Sequence, residues 1–161
     1  MLHRGRLIGL SLCFLGLNMA TAQSPQLVVA RDGQVLLALS LSENPDWILR
    51  WNHSVTGITV SDYYRWDGAK LLLSDSHTPA FDAGLGHIPG RGRHVSDGQN
   101  GHFIFDIDEA VPGNAYTLRV GSSQVNHRIV HAGKTYSLSD LAAGERVDIK
   151  IENQRSKIEN Q

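Results

Sequence analysis

The chain has 161 residues, with 15 basic and 16 acidic side chains, eight histidines, one cysteine and 41% hydrophobic residues. That length suits one domain with a real core. The near-balance of charge excludes the basic footprint of a nucleic-acid binder and the polybasic segment of a membrane-surface protein.

Residues 1–22 read as a signal peptide rather than as part of the fold. His3, Arg4 and Arg6 make a basic start, Leu7 to Leu17 is an apolar run, and Ala20-Thr21-Ala22 offers small-x-small cleavage chemistry near Ala22. The run is short for a bilayer span, which favours cleavage over a retained anchor. Cys13 would leave with this segment, and Leu12 before it is too bulky for a lipoprotein signal. The remaining 139 residues would then hold no cysteine, so neither a disulfide framework nor a thiolate metal site is available. Without Arg4 and Arg6, 13 basic residues face 16 acidic ones, a formal balance of −3. A periplasmic or secreted domain with no integral membrane segment after cleavage is expected over residues 23–153.

From there the hydrophobic period is two nearly everywhere. Leu27 to Ala30 and Val35 to Leu41 flank Arg31-Asp32-Gly33, and Asp-Gly is a strong hairpin signal. After the Asn44-Pro45 break, Trp47 to Val55 alternates, placing Trp47, Leu49, Trp51, His53 and Val55 on one side. Ser61 to Trp66 is aromatic-rich, and Asp67-Gly68 turns it into Lys70 to Asp75. A glycine-rich segment, residues 83–101, interrupts the pattern and is too irregular for a strand. His102 to Ile107, Tyr116 to Val120, His127 to His131, Thr135 to Leu138 and Arg146 to Glu152 complete the series. In the last of these Val147, Ile149 and Ile151 face inward. No helical stripe emerges. About eight to nine short strands predict an all-β domain: a single antiparallel β-sandwich of immunoglobulin-like type, or a partly open barrel. The tail, residues 154–161, repeats Lys-Ile-Glu-Asn-Gln and reads as a disordered extension.

These segments carry a resemblance. Ile48-Leu49-Arg50-Trp51-Asn52-His53-Ser54-Val55 is followed by Tyr63-Tyr64-Arg65-Trp66, then Gly68-Ala69-Lys70-Leu71-Leu72-Leu73, then the turn Asp82-Ala83-Gly84-Leu85-Gly86. This ordered set resembles the bacterial domain of unknown function family 1850, exported proteins often encoded beside TAXI-type TRAP transporters. The likeness covers roughly residues 46–90 and weakens toward residue 125. The departures are Val60, where tryptophan is frequent, and Asp82, where glycine is common. The resemblance implies a non-enzymatic accessory or binding role beside a TRAP-type permease or its TAXI-type solute receptor, and no established activity.

His53 is the first candidate contact, either as a buried imidazole on a backbone carbonyl or as the polar anchor of an apolar pocket built with Trp51. Ser54 follows it, but strand neighbours point to opposite faces and no nucleophile elbow exists, so no catalytic residue is assigned. Tyr64, Gly84 and Gly86 enter through the resemblance. Gly90-Arg91-Gly92-Arg93 has the make-up of an anion nest, with Arg91 and Arg93 facing one carboxylate. His127 and His131, four apart on a strand, would share a face but sit roughly 13 Å apart, too far for one ion. His87, His94 and His102 with Asp82 or Asp97 match no metal spacing, and Asp106-x-Asp108-Glu109 lacks an EF-hand pattern. No metal and no cofactor are assigned, and a small carboxylate or apolar molecule is the ligand class left open. Two alternatives to the accessory role remain: a metal-assisted hydrolase using His53 and the loop histidines, and a general envelope interaction module.

Overall fold

The structure is a computed structural model that describes residues 24–79, 90–96, 98 and 101–154. The proposed signal peptide, Gly84, Gly86, His87, Asp82, Asp97 and the tail from residue 155 lie outside the described residues.

The first five strands are β1 (Ser24–Arg31), β2 (Gln34–Ser40), β3 (Asp46–Asn52), β4 (Thr59–Trp66) and β5 (Leu71–Thr78). After the glycine-rich segment come β6 (Arg93–Ser96), β7 (His102–Phe105) and the two-residue β8 (Glu109–Ala110). A single 3-10 turn, Pro112–Asn114, leads into β9 (Ala115–Arg119), β10 (Arg128–His131) and β11 (Lys134–Ser137). One short helix, α1 (Leu138–Ala142), precedes β12 (Arg146–Gln154). The Ser137 hydroxyl caps α1 by accepting the Asp140 N–H.

The strands make two antiparallel sheets, and neither closes into a barrel. The smaller has the order β2-β1-β12-β9, the larger β11-β10-β3-β4-β5-β7-β6 with β8 beside β5. This is the expected sandwich, with strands β6 and β8 emerging from stretches whose glycines and acids hide the period of two. The Asp32-Gly33 hairpin forms as expected: both residues have positive φ, 50° and 82°, which Asp tolerates and Gly adopts freely.

The sheets are joined by an apolar cluster. Leu27, Val29, Leu39, Val147 and Ile149 come from the smaller sheet, and Trp47, Leu49, Tyr64, Leu71, Leu73 and Ile129 from the larger. Ile149 and Ile129 are fully buried. A stack of rings crosses between the sheets: Trp47 lies 5.7 Å from Tyr64, and Tyr64 lies 5.3 Å from Tyr116 of β9, all nearly parallel. Such pairs stabilise beyond their buried area.

One irregularity redirects the larger sheet. Tyr63 pairs with Asp75 while Tyr64 pairs with Leu73, so Ser74 is an extra residue in β5. The bulge lets Leu73 and Ser76, three apart, face the same side. Past it, buried polar side chains, Asp62, Ser76 and Thr78, join the apolar Val60 and Ile104 on the inward face.

Candidate functional site

The inward row beyond the bulge starts from Asp62. It lies between Val60 and Tyr64 on alternating positions of β4 and pairs in register with Ser76 of β5. Asp62 is 7% exposed and Ser76 0%, and the Ser76 hydroxyl donates to Asp62 Oδ1 at 2.7 Å. Burial pushes the Asp62 carboxyl up to about 6; the Ser76 hydrogen bond and the Arg91 charge oppose that shift without cancelling it. Register then carries the face through Ile104 of β7 to His94 of β6.

Arg91 is the cation above this row. It pairs with Glu109, its charge reaches Asp62, and its Nε is buried with no hydrogen-bond acceptor. The glycine after it is there of necessity. Gly92 has φ 65°, and a Cβ at that position would sit 2.5 Å from the Phe105 carbonyl oxygen and 2.8 Å from an Ile104 methyl. Only glycine lets the Arg91 segment lie this close to β7.

Arg91 also lines a cavity of about 220 Å³. Its walls are Tyr64, Leu73, Tyr116 and the Ala110-Val111-Pro112 stretch, and Arg91 and Glu109 supply its charges. Two further donors are buried nearby. Tyr116 Oη and Trp47 Nε1 stand close enough to affect one another, but neither makes a hydrogen bond of normal geometry. Burial, with the neighbouring Asp62 charge, raises the hydroxyl of Tyr64; burial, then Tyr64 and Asp62, raises that of Tyr116, so both stay protonated. The pocket therefore offers flat apolar walls and a guanidinium shared with a displaceable carboxylate, and the buried Asp62 carboxyl, whose charge acts on Arg91, Tyr64 and Tyr116, adjoins it without lining it. That is the equipment of a binding site for a small molecule with a polar end.

The sequence candidates divide between this pocket and a second one. Tyr64 and Arg91 meet here. Trp51, His53 and Ser54 line a more open cavity of about 560 Å³ with Arg119, Gly121, Val125 and His127. His127 stacks on Trp51 at 6.0 Å, its Nδ1 accepts the Gly121 N–H at 2.9 Å, and desolvation lowers its pKa. Ser139 locks the base of this region, accepting the His127 N–H and donating to the Gly121 carbonyl, both at 2.9 Å.

Three expectations change. The strand expected to run to Val55 ends at Asn52, because the His53 N–H donates to the Ile58 carbonyl and the His53 carbonyl accepts the Gly57 N–H, closing a turn. Val55 is consequently 85% exposed, and the His53 imidazole is half-exposed, its Nδ1 bonded to Thr56 instead of a buried carbonyl. Arg91 and Arg93 do not face one carboxylate: Arg91 pairs with Glu109, Gly92 between them has φ 65° and breaks strand alternation, and Arg93 pairs with Asp106 and lies 5.1 Å over the Phe105 ring. Arg93 is thus parted from the other candidates. His127 and His131 are both buried in the framework, the latter bridging the carbonyls of Asp46 and Ser40 at 3.0 Å each.

Asp106, Asp108 and Glu109 go to three different arginines, Arg93, Arg65 and Arg91, rather than to a common point. Among the described residues no three His, Cys, Asp or Glu side chains gather as metal ligands. No described helix is long and apolar enough to cross a membrane. Asp62 was the residue the sequence reading passed over. Its signal was present: an acid at an inward position between Val60 and Tyr64 in an alternating strand.

The model of a family described as a domain of unknown function (DUF1850) matches residues 48–138, more than half of the chain. The match spans β4, β5, Arg91 and Tyr116, so both cavities fall largely within it. Searches of curated proteins and of solved structures found no match.

Proposed function

The chain belongs to the DUF1850 family, and we propose that it is an exported, non-enzymatic accessory or binding protein serving a TRAP-type (TAXI) solute transport system. In this reading residues 1–22 are a signal peptide cleaved near Ala22, and the domain works outside the inner membrane. The partner is the permease or its solute receptor.

The observation that carries the binding role is the pocket between Tyr64, Tyr116, Arg91 and Glu109, with the buried Asp62 adjoining it. A buried acid raised to about 6 and a guanidinium with an unmatched Nε are costly features that a purely structural sandwich has no need to keep. At about 220 Å³ the cavity lies below the range of about 300–1,000 Å³ typical of drug-sized ligands, which fits a small solute. A carboxylate on that solute would displace Glu109 from Arg91, and its apolar body would lie against Tyr64 and Tyr116.

Affinity capture with crosslinking from the native envelope tests the assignment. Recovery of the permease or receptor above an unrelated exported control is the expected result. Repeated recovery of neither, from cells that express both, would overturn it.

A further inference from the structure

The outer face of the larger sheet carries a pair of arginines that line neither cavity. Arg50 of β3 and Arg128 of β10 are directly opposite in the antiparallel register. Like charges in that position are destabilising. Here they are also half-buried, and the Arg128 guanidinium is pulled below its ordinary basicity, first by desolvation and then by Arg50. Among the described residues neither arginine forms an ion pair with a carboxylate. Other arginines of the domain do find acids: Arg65 with Asp46 and Asp108, Arg91 with Glu109, Arg93 with Asp106.

The two guanidiniums are nevertheless held in place by neutral groups. Arg50 Nε donates to the Ser61 hydroxyl at 3.1 Å, and Arg128 Nη1 donates to the Asn126 carbonyl at 2.9 Å. Asn52 in turn ties this corner down, its backbone N–H donating to the Val125 carbonyl and its side chain to that of Gln124. Each guanidinium has five N–H donors, so most remain available outward.

We propose that Arg50 and Arg128 form a binding site for one phosphate-type oxyanion on the outer face of the sheet. Two cations set directly opposite in the strand register match an anion with several phosphate oxygens better than a single carboxylate. The ligand relieves the repulsion between them. Its source is either free phosphate or the phosphodiester of an anionic phospholipid headgroup, and both present anionic phosphate oxygens.

Inorganic phosphate is titrated into the full chain at constant ionic strength, followed through the arginine Nε–H NMR signals and by calorimetry. Saturable binding is expected, weakened at least tenfold by Arg50→Gln and by Arg128→Gln. A double Lys70→Gln/Arg146→Gln variant, which removes twice as much positive charge elsewhere on the surface, should still bind like wild type. In phosphate-free buffer Arg128→Gln should melt no lower than wild type, which separates loss of a site from loss of folding. Sedimentation with phosphatidylcholine vesicles, with and without phosphatidylglycerol, then identifies the source. Arginine-dependent binding to the anionic vesicles assigns a headgroup; phosphate binding without vesicle binding assigns a free solute. Phosphate affinity that is unsaturable, or equally reduced in the Lys70/Arg146 control, would overturn the proposal.

Discussion

On the β3–β10 side of the larger sheet the inward residues are Trp47, Leu49 and Ile129, all packed against the smaller sheet. On the β4–β7 side, past the bulge at Ser74, the inward row sets Asp62, Ser76 and Thr78 between the apolar Val60 and Ile104, and continues to the half-buried register positions of His94 and His102. Both halves are built from the same alternating strands. The first half gains from removing apolar surface from water. The second pays a desolvation penalty on a carboxyl that its hydrogen bond to Ser76 only partly offsets. One half therefore holds the fold, and the other is where stability has been given up for a polar site.

Substitutions sharpen this contrast. Ile129→Ala, in the apolar half and fully buried, should cost about 2–5 kcal/mol in urea denaturation. Asp62→Asn should act with the opposite sign. Its folded-state pKa of about 6 lies above the ordinary 3.8, so its contribution to stability is complete below about pH 4 and is lost as pH rises through about 6. The asparagine variant should be more stable than wild type at pH 8, by something on the order of 3 kcal/mol, and no more stable near pH 4. His127, whose pKa is lowered by burial, works the other way: its contribution is present above its ordinary 6.5 and falls as pH drops below it. That slope is common to both proteins and cancels in the comparison. An Asp62→Asn variant less stable than wild type at pH 8 would break the distinction between the halves.

Smaller effects belong to the second cavity. Ser139→Ala removes both bonds that lock His127 to Gly121 and should cost about 1–3 kcal/mol by thermal or chemical denaturation. His53→Ala should cost less than about 1 kcal/mol, because the imidazole is half-exposed and bonds only to its own turn through Thr56. A larger loss at His53 would place it in the core after all.

Much of the framework was legible in the chain. The Asp32-Gly33 hairpin, the alternating final strand and the aromatic Ser61–Trp66 run each declare themselves through local chemistry, and together they lead to a sandwich. What sequence parity could not show was where a strand stops. Val55 continues the apolar alternation by residue type, yet the bond from His53 N–H to the Ile58 carbonyl turns the chain before it. Nor does a sequence announce a bulge: Ser74 shifts the phase of β5 by one residue and so brings Ser76, not Asp75, opposite Asp62. The pocket depends on long-range placement as well. Arg91 reaches it because Gly92 lets its segment press on β7, and Tyr116 arrives from the other sheet. Tyr64 and Arg91 were identifiable as candidates one at a time; that they share a cavity is a property of the fold.

The carboxyl carbon of Asp62, followed by NMR between pH 3 and pH 8, addresses the central claim most directly. The buried, Ser76-bonded group should titrate near pH 6, about two units above an ordinary aspartate. A titration at or below 3.8 would mean that Asp62 ionises as freely as a surface acid, and the polar half of the sheet would cost the fold nothing.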